Sequence, residues 1–535
     1  MPRPAALDRS RSGALQGPVP RDPAPRLLVY AALFVTGAAT LALELIASRL
    51  LTPYVGGGLT VWTAILSVTL LALAYGYHLG SRWSAVDARR RFVRIPVLAA
   101  AVLGLTAALY PVLLPQLAVG GALTGAFVGV ILVLAPALVL LSAMGPLGIA
   151  LIRTGEGDSG AGEVFAVSTV GSVAGVFVAA FLLLPFMAPP ATLVVLALAL
   201  VAVALASARG LRETAGLALL LPGALGAAAL AGATLAASPD AVALGPYRVA
   251  HVATERSPHA TIVVADVTRP GREGIVRVYL EENQVQSALA RDLPGRPLLY
   301  AAITEAAIAA TTPPGGRVLV LGLAGGVIAS DLARAGYEVT AVDVNPAAGE
   351  VAERWFDLAP AVEIVVADAR RYLERCERSY DAMLVDVFSG LEIPEHVVVQ
   401  EAFDAAMSCL REGGALVVNA VVPPLDSRPT RRLLAAIAAA SAGPVAVYED
   451  APGADGRRNR ILLAGAPARQ APTLAIDDYP RDLFARESRR LAPELVTPAD
   501  LADVAPLTDW SNDFALSIAL ATPAPSVFPV PAQWY

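Results

Sequence analysis

Lysine is absent. All 40 basic residues among the 535 are arginine, which excludes Schiff-base chemistry and a P-loop lysine. Cysteine is scarce: Cys376 and Cys409 are too few for a disulfide framework. Together with four scattered histidines they show no zinc-ligand spacing, so no metal site is expected. Charged residues make up 16% of the chain and the net charge is -6. No basic stripe stands outside the loops between apolar runs, which argues against a nucleic-acid partner.

What is abundant is apolar surface. Hydrophobic residues make up 56% of the chain and its mean hydropathy is +0.60, too apolar for an ordinary soluble protein. The bias is uneven. Before Ser238 nearly all charge falls in short clusters between long apolar runs, and after it the composition is ordinary. Residues 1–26 are rich in Pro, Arg and Gly and read as a disordered tail. They do not read as a secretory signal, because the apolar stretch that follows is too long and has no small-residue cleavage site.

Residues 27–237 read as a membrane domain of about seven helices. The runs are Leu27–Leu51, Leu59–Gly80, Ile95–Pro115, Ala118–Leu141, Val164–Met187, Ala191–Ala208 and Ala215–Ala236. Each approaches the roughly 20 residues that a bilayer requires. The loops alternate in charge. Arg82, Arg89, Arg90, Arg91 and Arg94 fill one, Arg153 marks another, and Arg209 with Arg212 a third. The loops around Thr52–Gly58, Pro115–Gly121 and Pro189–Pro190 are uncharged. The positive-inside rule then places the N-terminus in the cytoplasm of a multi-pass cell-membrane protein. Seven spans put the C-terminal half outside. A domain fed by a cytosolic nucleoside conflicts with that, unless a turn-back hides in Ala118–Ile152. Glu44 and Arg49 lie in or near the end of the first span. They read as a structural pair with Arg49 snorkelling to the interface, and the alternative is a polar pocket or transport path. Gly171, Ser172 and Gly175 read as helix-packing residues.

The pattern changes from Gly245. Residues 245–290 contain His251–Val267 and Gly274–Tyr279, which alternate as in a small antiparallel sheet. In 291–470 a helix is expected over Arg291–Ala310. Strands then alternate with helices, which predicts a mostly parallel, doubly wound sheet. The strands are Val318–Leu321, Glu338–Val342, Val362–Val366, Ala382–Val385, Ala415–Ala420, Val445–Tyr448 and Arg460–Ala464. Residues 471–535 read as a C-terminal extension.

The chemistry is expected at strand ends. Gly322, Gly325 and Gly326 form a strand-to-helix turn that lets a ligand approach the helix N-terminus. Asp343 ends the next strand, roughly 20 residues on, where a carboxylate takes both hydroxyls of a ribose. An N-cap role is better filled by Asn345, just before Pro346. Asp368, followed by Ala369, could meet the exocyclic amine of an adenine or could cap the helix after it, and both readings stand. Asp386 ends the fourth strand, where a desolvated carboxylate can accept a proton.

These segments resemble the spermidine synthases, the polyamine aminopropyltransferases, over about Val249 to Ala464. The whole chain looks like the bacterial branch with a membrane domain fused ahead. ERSPHATI at Glu255–Ile262 resembles ESPYQ, and YLEENQVQ at Tyr279–Gln286 resembles LDGxxQ. VLVLGLAGG resembles VLIIGGGDGG, TAVDVNP resembles VEID, VVADAR resembles GDGR, and YDAMLVDVFSG resembles YDVIIVDSTDP. LTDW at Leu507–Trp510 resembles an LTDD motif of the fused branch.

The resemblance implies a Rossmann-like, class I methyltransferase-type sheet behind a small β subdomain. It implies transfer of an aminopropyl group from decarboxylated S-adenosylmethionine to an amine such as putrescine. Asp386 would be the general base and Tyr300 would stand near the amine. Asp343 would hold the ribose, Asp368 and Ala369 the adenine, and Gln286 would line the same pocket. Glu282 and Ser389 would face the substrate, and Glu392 would be a further acid. No permanently bound cofactor is implied, and a homodimer is left open.

Several positions depart from the family. Ala260 stands for a glutamine, Glu282 and Asn283 for Asp-Gly, and Ala301 and Ala302 for His-Glu. Gly325 stands for an Asp that grips the aminopropyl amine, and Ser389 for a second catalytic Asp. Two alternatives therefore remain. One is a methyltransferase using S-adenosylmethionine itself. The other is a non-catalytic transporter or sensor that binds a nucleoside or polyamine.

Overall fold

The computed structural model describes residues 25–55, 59–118, 122–152, 160–214, 217–236, 239–376, 379–388, 393–449, 458–521, 530–531 and 534. Two regions follow one another: an N-terminal helical region and a C-terminal α/β region.

The helical region contains α1 (Arg26–Val55), α2 (Leu59–Ala118), α3 (Ala122–Val133), α4 (Ala135–Ser142), α5 (Met144–Ile152), α6 (Ala161–Val178), α7 (Pro189–Leu211) and α8 (Leu217–Ala236). Six helical stretches among the described residues are long and apolar enough to cross a membrane. One of them, Val61–Leu114, has 54 residues and bends at Asp87, whose extended backbone (φ -160°) interrupts the helix. Helices α3 to α5 form one interrupted rod. Pro136 and Pro146 each remove an i to i-4 hydrogen bond, yet Leu134 and Ala143 stay right-handed. The Leu138 amide still donates to the Leu134 carbonyl at 3.1 Å, and Leu147 to Ala143 at 3.4 Å. The described residues of this segment therefore contain no turn-back.

Glycines set the closest packing. A Cβ on Gly171 would lie 2.2 Å from the Phe34 carbonyl oxygen, and one on Gly175 would lie 2.1 Å from that of Ala38. This bears out the small-residue reading, and Ser172 adds a 2.9 Å bond to the Gly37 carbonyl. The pair reading for Arg49 is corrected. Its guanidinium leaves α1, donates to the carbonyls of Pro258 and His259, and lies 3.9 Å from Glu282. One carboxylate oxygen of Glu44 is buried without a hydrogen-bond partner.

The α/β region opens with an antiparallel five-stranded sheet in sequential order. Its strands are β1 (Ala241–Leu244), β2 (Tyr247–Arg256), β3 (Thr261–Thr268), β4 (Ile275–Glu281) and β5 (Gln284–Arg291). The expected helix over Arg291–Ala310 begins later, as α9 (Leu299–Thr311). Arg291 still belongs to β5, and Pro294 and Pro297 bias the residues before them away from helical backbone.

The units then alternate: β6 (Arg317–Leu321), α10 (Val327–Arg334), β7 (Glu338–Asp343), α11 (Pro346–Trp355), β8 (Glu363–Val366), α12 (Ala369–Glu374) and β9 (Tyr380–Val385). They continue as α13 (Gln400–Cys409), β10 (Leu410–Val422), α14 (Arg428–Ser441), β11 (Val445–Glu449) and β12 (Arg458–Gly465). The extension adds an antiparallel ribbon of β13 (Leu474–Asp482) and β14 (Ala485–Leu491), then the edge strand β15 (Glu494–Val496) and α15 (Phe514–Ala521). The main sheet runs β15-β11-β12-β10-β9-β6-β7-β8. Pairs from β10 to β8 are parallel, whereas β10/β12, β12/β11 and β11/β15 are antiparallel. This is the Rossmann-like, methyltransferase-type arrangement. Both faces of β6 and β9 are covered, so these strands are continuous apolar runs.

The two cysteines are joined. Cys376, after α12, and Cys409, at the end of α13, form a disulfide with a Cα–Cα distance of 5.8 Å. A single bridge across two helix ends has no spacing signature, so cysteine counting alone did not indicate it.

Candidate active site

The chain order reverses between β6 and β9, and a crevice opens there beyond the carboxyl ends of the parallel strands. It is a cavity of about 290 Å³, at the small end for ligand sites. Four successive strand ends supply its floor: Gly322 after β6, Asp343 on β7, Asp368 after β8 and Asp386 after β9.

Gly322 is required by geometry. Its φ is +95°, and a Cβ there would lie 2.1 Å from the Asp386 carbonyl oxygen. Gly325 and Gly326 complete the same turn into α10 but are not among the residues lining the cavity. A Cβ on Gly325 would stand 3.0 Å from both the Ser287 hydroxyl and the Phe356 ring, so the space for a side chain is already filled.

Asp343 lines the cavity and accepts backbone N–H groups from Leu323 at 2.9 Å and Asn345 at 2.8 Å. These bonds hold both loops around the carboxylate, and each oxygen keeps acceptor capacity. Asn345, as expected, caps α11 by accepting from the Ala347 amide. Asp368 caps α12 through the Arg371 amide at 2.9 Å, while its other oxygen meets His396 Nε2 at 3.0 Å. Burial works to raise its pKa, but the Arg371 amide and His396 outweigh it and hold the carboxyl below its usual range. It also lines the cavity beside Ala369, so capping and ligand contact coexist.

Asp386 is strongly perturbed. Burial raises its pKa to about 6, against the opposing hydrogen bond from Asn419 Nδ2 at 2.7 Å. Asn419 on β10 in turn accepts from Asn459 Nδ2 on β12 at 2.9 Å. This amide relay fixes the carboxylate from behind and leaves its cavity side open. Tyr300, in the first turn of α9, donates to the Gln286 carbonyl at 2.6 Å. Burial, then the Asp386 charge, push its phenol well above the usual value, so it stays a neutral donor. Tyr300, Gln286 and Asp386 all face the same cavity.

Glu282 does not line it. With Asn283 it forms the β4–β5 turn, both at positive φ (49° and 62°). Its carboxyl points to Arg49, and burial raises its pKa to about 7 against the pull of that arginine. The cavity acid on this hairpin is Glu281. Strand alternation from Tyr279 could have found it, because both residues project to one face. Sequence reasoning also missed His259, His396 and the amide relay. Ser389 and Glu392 lie outside the described residues. The LTDW segment packs on α12 away from the cavity lining: Arg370 donates to Asp509 at 3.0 Å.

Glu281, Asp343, Asp368 and Asp386 thus put four carboxylates on the cavity. No arginine is among its described lining residues, in a chain with 40 of them.

Residues 318–414 match the family described as a methyltransferase domain. Over 110 residues the chain is 34% identical to a polyamine aminopropyltransferase of Vibrio vulnificus, covering 19% of this chain and 37% of that protein. It is 33% identical over 123 residues to polyamine aminopropyltransferase 2 of Hyperthermus butylicus, covering 21% and 40%. A probable spermidine synthase structure from Corynebacterium glutamicum is 21% identical, covers 48% of this chain and 95% of its own, and has a TM-score of 0.39. The chain spans well under two thirds of the length of these curated relatives. The likeness to the spermidine synthase family that the motifs carry is borne out by these relatives.

Proposed function

We propose that the chain is a multispanning membrane transferase. It moves an aminopropyl group from decarboxylated S-adenosylmethionine to an amine. The observation that carries this is the charge of the cavity: four carboxylates and no lining arginine. A sulfonium donor bearing an ammonium and a polyamine acceptor are both cations, and such a lining attracts them. The carboxylate of S-adenosylmethionine would be left there without a cationic partner, at a desolvation cost.

The placement supports the following reaction. The acceptor nitrogen attacks the propyl carbon next to sulfur. A C–N bond forms, the C–S bond breaks with its electron pair returning to sulfur, and methylthioadenosine leaves neutral. Asp386 takes the ammonium proton before or during attack and stays close to the cationic product. Tyr300 orients the amine, Asp343 holds the ribose, and Asp368 with Ala369 lies against the base. Gln286 and Glu281 form the opposite wall. The membrane reading rests on the apolar helices, whose outer faces expose Leu71 (72%), Phe181 (61%) and Leu219 (84%).

A second reading is favoured by one observation. Gly325 removes the acid that would grip the aminopropyl amine, and neighbours fill its place. That suits a methyltransferase. Product analysis of the purified full-length protein separates the two. Incubation with a diamine and decarboxylated S-adenosylmethionine is expected to release methylthioadenosine, and incubation with S-adenosylmethionine is expected to give no product. Release of S-adenosylhomocysteine instead would establish the methyltransferase, and tight binding without either product would establish a binding module.

A further inference from the structure

We infer that the α/β region with its cavity stands on the non-cytoplasmic face of the membrane. Its ligands then enter from an oxidising, extracytoplasmic compartment, so a nucleoside donor made in the cytosol has to be delivered across the membrane to reach it. This rests on the membrane reading above, and three independent observations carry it.

The first is the count of crossings. Val61–Leu114 holds two, joined at Asp87, and the other five long helices hold one each. Contacts fix their directions. Gly171 meets Phe34 and Gly175 meets Ala38, so α6 runs parallel to α1. Gly129 meets Leu51 while Gly148 meets Leu33, so the α3–α5 rod runs antiparallel to α1. Gly210, near the end of α7, meets Leu28 near the start of α1, so α7 is antiparallel too. An odd number of crossings results, and the chain leaves α8 on the side opposite the start of α1.

The second is where the α/β region docks. Arg49, near the end of α1, holds the carbonyls of Pro258 and His259, and Asn283 donates to the Pro53 carbonyl at 3.3 Å. That end of the bundle carries the uncharged loops. The arginines Arg82 to Arg94, Arg209 and Arg212 gather at the other end. The positive-inside rule assigns the arginine end to the cytoplasm.

The third is chemical. The Cys376–Cys409 disulfide ties together the ends of α12 and α13, on either side of β9 and Asp386. Such bridges persist in oxidising compartments and are rare in the cytosol.

Cysteine accessibility in the full-length protein tests this. Single variants Ser488→Cys and Glu350→Cys place a thiol on the α/β surface, and Ala85→Cys places one at the arginine end. Cells stripped to spheroplasts are treated with a membrane-impermeant maleimide. Both α/β variants are expected to label at once, and Ala85→Cys only after permeabilisation. The unsubstituted protein is expected to label only after reduction. Labelling of Ala85→Cys alone, or of the unsubstituted protein without reductant after permeabilisation, would overturn the inference. A chain released by alkaline carbonate would instead remove the membrane reading, and this inference with it.

Discussion

The helical half and the α/β half of this chain solve opposite problems. The helices bury hydroxyls such as Thr36, Ser142 and Thr192 but approach most closely through glycine: Gly37, Gly171 and Gly175 let α1 and α6 touch backbone to backbone. The α/β half brings carboxylates to its cavity and gives three of them defined partners. Asp343 takes two amides, Asp368 an amide and a histidine, and Asp386 the Asn419–Asn459 relay. The lesson is that function concentrates where buried charge is supported by partners. In the helical half Glu44 has one buried carboxylate oxygen without a partner, and so have the hydroxyls of Thr69 and Ser207. Arg49 joins the two regimes, because it starts in the apolar helix α1 and ends on the turn that carries His259 into the cavity wall.

Substitutions that act on one half and spare the other sharpen this contrast. Asp386→Asn keeps size and removes the base, so turnover is expected to fall by ~10²-fold or more with nucleoside binding retained. Because the folded pKa is raised to about 6, the base is active only when ionised. Turnover of the unsubstituted protein should therefore rise as pH climbs through about 6, and the Asn variant should lose that limb. A pH–rate profile of both proteins checks it.

Cys376→Ser opens a loop of 33 residues separation and is expected to destabilise the α/β half by about 2–4 kcal/mol. Denaturant titration followed in that half, with the helices unchanged in detergent, would read it. Asp343→Ala should weaken methylthioadenosine binding by about 1.5–3 kcal/mol, the range for charged hydrogen bonds. Calorimetric titration measures it, and unchanged affinity would defeat the ribose assignment. The smallest effect is expected at the junction. Arg49→Ala should cost about 1–2 kcal/mol of binding through the displaced turn, seen as a raised KM for the amine with kcat nearly kept. Arg49→Lys should restore part of it.

Much of the site was legible because strand ends are. An apolar run closed by an acid fixes where a parallel strand delivers its carboxylate, so Asp343, Asp368 and Asp386 could be read in order and all line the cavity. Gly322 was legible by the same logic. What escaped depended on turns and on distant pairing. Glu281 and Glu282 are neighbours: alternation with Tyr279 sends Glu281 to the cavity, while residues 282 and 283 leave the strand at positive φ. Asn419 and Asn459 meet because β10 and β12 are antiparallel neighbours, which no local pattern states. The β13–β14 ribbon was missed because its charged, proline-interrupted sequence lacks clean alternation.

The central claim is that a carboxylate-lined cavity selects a cationic donor without a carboxylate. The direct test is the affinity of the full-length protein for decarboxylated S-adenosylmethionine against S-adenosylmethionine, measured by calorimetry in one buffer. The decarboxylated donor is expected to bind at least about tenfold more tightly, ~1.4 kcal/mol. Equal affinity, or tighter binding of S-adenosylmethionine, would contradict the account.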